Sequence, residues 1–87
     1  ISGIFSPVPA YAEITVFTAD IIKKVFGRTI ANEKGWFKVE NLPAGIYSVS
    51  VKYILSDVEL GYYPYFTIQG VEVFADKDTD LGTISLR

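Results

Sequence analysis

Residues 45–53 read Gly-Ile-Tyr-Ser-Val-Ser-Val-Lys-Tyr, with Tyr47, Val49, Val51 and Tyr53 alternating against Ser48, Ser50 and Lys52. A period of two with apolar residues on one side is the signature of a strand packed on one face and solvated on the other. The same alternation recurs at residues 12–19, where Ile14, Val16 and Thr18 interleave with Glu13, Thr15 and Phe17. At residues 36–40 it turns Phe37 and Val39 inward and Trp36, Lys38 and Glu40 outward. No window carries a helical stripe. The pattern predicts strands at 2–5, 12–19, 23–31, 36–40, from 45 onward, 71–75 and 81–87, with 65–69 either a further strand or a lid.

The breaks between these runs are made of turn chemistry. Ser6-Pro7-Val8-Pro9 ends the first run, because proline cannot donate to a ladder. Gly27 marks a bulge or a close backbone approach. Asn32-Glu33-Lys34-Gly35 is a tight turn, and Asn and Gly tolerate the positive φ such turns demand. Asn41-Leu42-Pro43-Ala44-Gly45 reads as a corner in which Pro43 fixes φ and Gly45 takes a left-handed backbone. Leu42 and Tyr47 then plug the core on either side, and a buried Tyr47 needs a backbone partner for its hydroxyl. On this reading Gly45→Val costs a few kcal/mol through φ strain, on the order of the ~1–3 kcal/mol of a strained residue. Seven or eight short strands in 87 residues predict one all-β domain, an antiparallel two-sheet sandwich.

Composition then narrows the chemistry. The chain has no cysteine and no histidine. Disulfides, thiolate metal sites and the usual general base are therefore unavailable to it by composition. Eight Lys and Arg against ten Asp and Glu leave a net charge of −2, which argues against nucleic acid and anionic membranes as partners. No apolar run approaches the ~20 residues of a membrane helix, so direct membrane insertion is not expected. The chain opens on Ile1 and contains no methionine, which reads as a segment of a longer precursor.

The run Asn-Glu-Lys-Gly-Trp-Phe at 32–37 followed by Asn-Leu-Pro-Ala-Gly-Ile-Tyr-Ser-Val at 41–49 resembles the carboxypeptidase regulatory-like domain. Ile1-Ser2-Gly3-Ile4, residues 12–17, Gly61-Tyr62 and the closing run 80–86 agree with it in order. The resemblance implies a prealbumin-like (transthyretin-like) β-sandwich in which Gly35, Phe37, Leu42, Pro43, Gly45 and Tyr47 are structural. It also implies a non-catalytic accessory module of a secreted or cell-surface protein, docking neighbouring domains in an extracytoplasmic setting.

Six constellations are weighed for function. Trp36 faces outward, so it can stack on a sugar ring, or pack on Lys or Arg stems, on Phe17 or on an adjoining domain. Tyr62, Tyr63 and Tyr65, with Phe66, surround Pro64 and suit either a binding loop or a cap over one end of the sandwich. Asp76, Asp78 and Asp80 alternate in a loop and offer oxygen ligands to Ca²⁺, but Leu81 and the missing glutamate break the EF-hand pattern, which favours a solvated turn. Lys23, Lys24 and Arg28 form a basic cluster too small for a nucleic-acid face. Glu40 with Glu59 or Glu72 is a carboxylate pair with no cleft-forming loops around it, and a Lys–Asn isopeptide is disfavoured because Asn32 and Asn41 lie in turns. No cofactor is expected. The partners expected are neighbouring domains, with polysaccharide as the alternative bound through Trp36, Tyr62, Tyr63 and Tyr65, and a second copy paired edge to edge as a further option.

Overall fold

A computed structural model describes residues 1–20, 22, 24–54, 65–75 and 77–86. Among the described residues there are seven strands, β1 (Ser2–Ser6), β2 (Tyr11–Thr18), β3 (Val25–Ile30), β4 (Trp36–Lys38), β5 (Gly45–Ile54), β6 (Tyr65–Val73) and β7 (Asp80–Ser85). They form two sheets, ordered β4-β1-β7 and β3-β2-β5-β6. The expected all-β sandwich is what the chain builds.

The inward positions are the ones the alternation selects. Ile14, Val16, Val49 and Val51 from the four-stranded sheet are fully buried, with Tyr47, Val71 and Val73 beside them. Phe5, Phe37 and Ile84 come from the other sheet, and Phe5 stacks on Phe37 with ring centroids 5.2 Å apart. Each such aliphatic or aromatic side chain contributes roughly 1.5–3 kcal/mol on burial, so this layer holds the sheets together. Tyr53 packs edge-on against Phe66 at the margin of the same layer.

Three details differ from the sequence reading. Residues 65–69 and 71–75, expected as separate elements, join into one strand, β6, which runs through Gly70 at φ 70° and ends at Val73, short of residues 74–75. The register against β5 shifts there, so the break is a bulge within a continuous strand. Secondly, all pairings are antiparallel except β1 with β7, which is parallel. The chain leaves β6 in one sheet and enters the other sheet as β7, alongside β1. Thr79 anchors that crossing by donating its hydroxyl to the Glu72 carbonyl at 2.7 Å.

The third correction concerns the corner. Asn41, not Gly45, carries the left-handed backbone, at φ 62°. Asparagine tolerates this region because its short polar side chain bonds locally. Gly45 already belongs to extended β5, and a Cβ there would meet the Tyr47 ring at 3.8 Å, an ordinary contact. The strain argument for Gly45→Val therefore falls. The rest of the corner forms as expected: Leu42 packs against the core, and the Tyr47 hydroxyl donates to the Pro43 carbonyl at 2.6 Å. Phe26 closes edge-on over Tyr47, 5.7 Å between centroids.

Gly27 has both roles the sequence offered. It sits at a register shift between β2 and β3, and a Cβ added to it would lie 2.5 Å from Val39 Cγ1 of the opposite sheet. Each sheet edge is consequently broken or short: β3 by the step beside Gly27, β6 at Gly70, β7 at Gly82 (φ 70°), and β4 by having only three residues. Bulged or short edges resist pairing with another strand.

Candidate functional site

Trp36 is presented by the turn that precedes it. The Asn32 side-chain oxygen accepts hydrogen bonds from the Lys34 and Trp36 amides at 2.9 and 3.0 Å, and the Asn32 carbonyl accepts from Gly35 at 2.9 Å. Gly35 holds φ 79°, and a Cβ on it would stand 3.1 Å from the Phe5 carbonyl oxygen, so only glycine fits comfortably. Trp36 thus leaves the turn at a fixed angle and starts β4 at the sheet edge.

Directly paired residues share a face, so the register draws the outer surface of the three-stranded sheet. One row is Trp36, Ile4 and Thr83; the next is Lys38, Ser2 and Asp80; Ser6 and Ser85 follow on the other side. Trp36 is 46% exposed and Ile4 39%. The neighbour of Trp36 is Ile4. Phe17, offered as a packing partner by the sequence, lies on the other sheet.

Tyr65 is exposed and pairs with Lys52 on the outer face of the four-stranded sheet. Trp36 and Tyr65 therefore point away from opposite sides of the sandwich and do not make one platform. Tyr62 and Tyr63 lie outside the described residues, as do Pro64, Glu59 and Lys23.

The aspartate loop divides its side chains. Asp78 accepts a hydrogen bond from the Ser2 hydroxyl and pairs with the Ile1 amine at 3.1 Å. The Ser2 bond, followed by the Ile1 amine and Lys38, holds its carboxyl below the ordinary value of 3.8 against the opposing effect of desolvation. Asp80 accepts from the Gly82 amide at 2.8 Å, and Asp76 is outside the described residues. Among the described residues no three acidic, histidine or cysteine side chains converge on a point that could hold a metal ion.

The remaining candidates are tied up singly. Arg28 approaches Glu13 at 3.8 Å, Lys24 lies over the Phe26 ring at 5.3 Å, and Lys38 approaches Glu40 at 3.5 Å. Beside the corner, a cleft of about 370 Å³ opens between the sheets, walled by Lys38, Leu42, Val73, Phe74 and Lys77. Phe74, 55% exposed at its rim, is a residue the sequence reading passed over.

A second recess went unnoticed in the sequence because its floor looked like an ordinary solvated serine. Ser48 is only 7% exposed, although it lies on the outer face of β5. Its cross-strand neighbour is Phe17, and Ile46, Thr67 and Gln69 complete the rim of a groove of about 300 Å³. The alternation assigns such a residue to the outside. Only the size of its cross-strand neighbours decides whether it reaches water.

Among the described residues no helix is long and apolar enough to cross a membrane. No protein-family model, no curated protein and no solved structure matches this chain.

Proposed function

We propose that this domain is a non-catalytic, prealbumin-like accessory module of the carboxypeptidase regulatory-like kind, set in a larger secreted or cell-surface protein. It docks a neighbouring domain through the outer face of its three-stranded sheet. The observation that carries this reading is the Trp36–Ile4 pair, two large apolar side chains side by side on a sheet face. Tryptophan dominates the energetics of contacts between proteins when neighbouring groups exclude water around it. The interrupted edges direct association toward a face and away from strand addition. The absence of histidine and cysteine from the composition supports a structural role.

Trp36 is the one tryptophan, so it reports on its own face. Its emission should be red-shifted in the isolated domain and blue-shifted when the domain is expressed with its flanking sequence. Ile4→Ser should reduce the blue shift. Identical emission in both contexts would refute docking through this face.

The second reading is carbohydrate binding. Its specific support lies on the opposite face, in the uncharged groove over Ser48, rather than in a platform shared by Trp36 with Tyr62, Tyr63 and Tyr65.

A further inference from the structure

We propose that the groove on the outer face of the four-stranded sheet is a binding site for a neutral saccharide, with Ser48 as its floor. The ligand class rests on the second reading above; the location rests on the groove itself. Its lining is Phe17, Thr18, Ala19, Ile46, Ser48, Thr67, Gln69 and Gly70, none of them ionisable, in a chain of which 21% is charged. Phe17 and Ile46 supply apolar walls. Gly70 leaves one end open: its φ of 70° disfavours any side chain, and no atom lies within 4 Å of where a Cβ would stand.

The polar groups are uncommitted where it matters. The Thr18 hydroxyl is occupied, donating to Asp20 and accepting from the Lys24 amide. By contrast, the side chains of Ser48, Thr67 and Gln69 are not hydrogen-bonded to another described residue. Two hydroxyls and an amide offer both donors and acceptors around one recess.

This chemistry selects its ligand. No charged side chain lines the groove, and the charges at its rim, Asp20 bonded to Thr18 and Glu72 opposite Ile46, are both acidic, so a phosphate or a carboxylate finds no counter-charge there. A purely apolar ligand would strip water from three polar side chains at roughly 1–3 kcal/mol for each one left unpaired. An extended peptide would look for an open edge, but the adjacent β6 edge is broken at Gly70. A pyranose ring meets both demands, its C–H face against Phe17 and Ile46 and its hydroxyls toward Ser48, Thr67 and Gln69. Tyr65 lies on the same face two residues from Thr67, about 7 Å along the strand, where a second ring can stack.

The test is an amide-resolved NMR titration of the chain with cellohexaose, maltohexaose, xylohexaose and mannohexaose, and with a polygalacturonate oligomer as the charged comparison. At least one neutral hexasaccharide should shift the amides of Phe17, Ser48, Thr67 and Gln69 at concentrations up to about 10 mM. Gln69→Ala and Thr67→Val, both at exposed positions, should each weaken that binding about three- to tenfold, as expected for one lost hydrogen bond, with the melting temperature unchanged. Shifts produced only by the charged oligomer overturn the proposal. Shifts confined to Trp36 and Ile4 overturn the groove but leave carbohydrate binding standing on the other face. No shift with any glycan removes both, without touching the docking reading, which Trp36 emission tests separately.

Discussion

The outer faces of the two sheets come from the same period-two alternation and end as chemical opposites. On the three-stranded sheet, Trp36 and Ile4 project beside a row of Lys38, Ser2 and Asp80, with Asp78 bonded to Ser2. On the four-stranded sheet, Phe17 and Ile46 stand over a sunken Ser48 among uncharged neighbours. The first face is raised, apolar and flanked by charge; the second is recessed and neutral at its centre. Strand width explains much of this. Trp36 begins a three-residue edge strand with no described strand beyond it, so no described strand covers it from that side. Ser48 lies on a central strand, between β2 and β6, and neighbours on both flanks enclose it. A raised aromatic pair suits a broad contact with a partner surface, whereas a recess suits a small ligand.

The strongest test of this contrast sets two adjacent residues against each other. Phe37→Ala removes a buried ring stacked on Phe5 and should cost about 3–5 kcal/mol, enough to unfold much of a marginally stable domain. Trp36→Ala, one position earlier on the outer face, should cost less than about 1 kcal/mol in urea melts. Comparable losses would mean that Trp36 is part of the core. The second test probes the recess. Ser48→Leu should destabilise by about 1–3 kcal/mol, because the larger side chain must displace Phe17 or Gln69. A neutral result there would mean that the groove is open surface and its enclosure of no consequence.

How much of this was legible in the chain depends on whether a position is governed locally. The inward set Phe37, Val39, Tyr47, Val49 and Val51 follows from alternation alone, since a strand has only two faces. The Asn32–Gly35 turn and the Tyr47 hydroxyl bond to Pro43 also follow, because their partners sit within four residues. The identity of the left-handed corner residue did not: Gly45 and Asn41 both tolerate positive φ, and composition cannot choose between them. Nor could the neighbours across strands be read. Ile4 beside Trp36, Phe17 beside Ser48 and Val39 against Gly27 depend on register, which the tertiary pairing sets. The parallel β1–β7 pair was hidden for the same reason. The recess is therefore a product of pairing, while Trp36 was visible as an outward aromatic from the start.

The smallest effect expected is electrostatic, and it separates the two faces by pH. The bond from Ser2, with the Ile1 amine and Lys38 nearby, lowers the Asp78 carboxyl below its ordinary 3.8 in the folded chain. A carboxylate whose folded pKa is depressed stabilises the fold above its unfolded pKa, and that contribution is lost as pH falls through the depressed value. Asp78→Asn should thus lower stability at pH 7 by less than about 1 kcal/mol, since the Asp78 carboxylate is 37% exposed and screened by solvent, even though the Ile1 amine beside it is buried. The gap between the two proteins should stay constant above the ordinary value, then close on further acidification as the wild type alone loses its contribution. The amides of Ser48, Thr67 and Gln69 should keep the same pH dependence in Asp78→Asn as in the wild type, because the acids at the groove rim, Asp20 on Thr18 and Glu72 opposite Ile46, are untouched by the substitution. If the substitution altered that dependence, the two faces would be coupled through the core, and the division of labour between them would have to be abandoned.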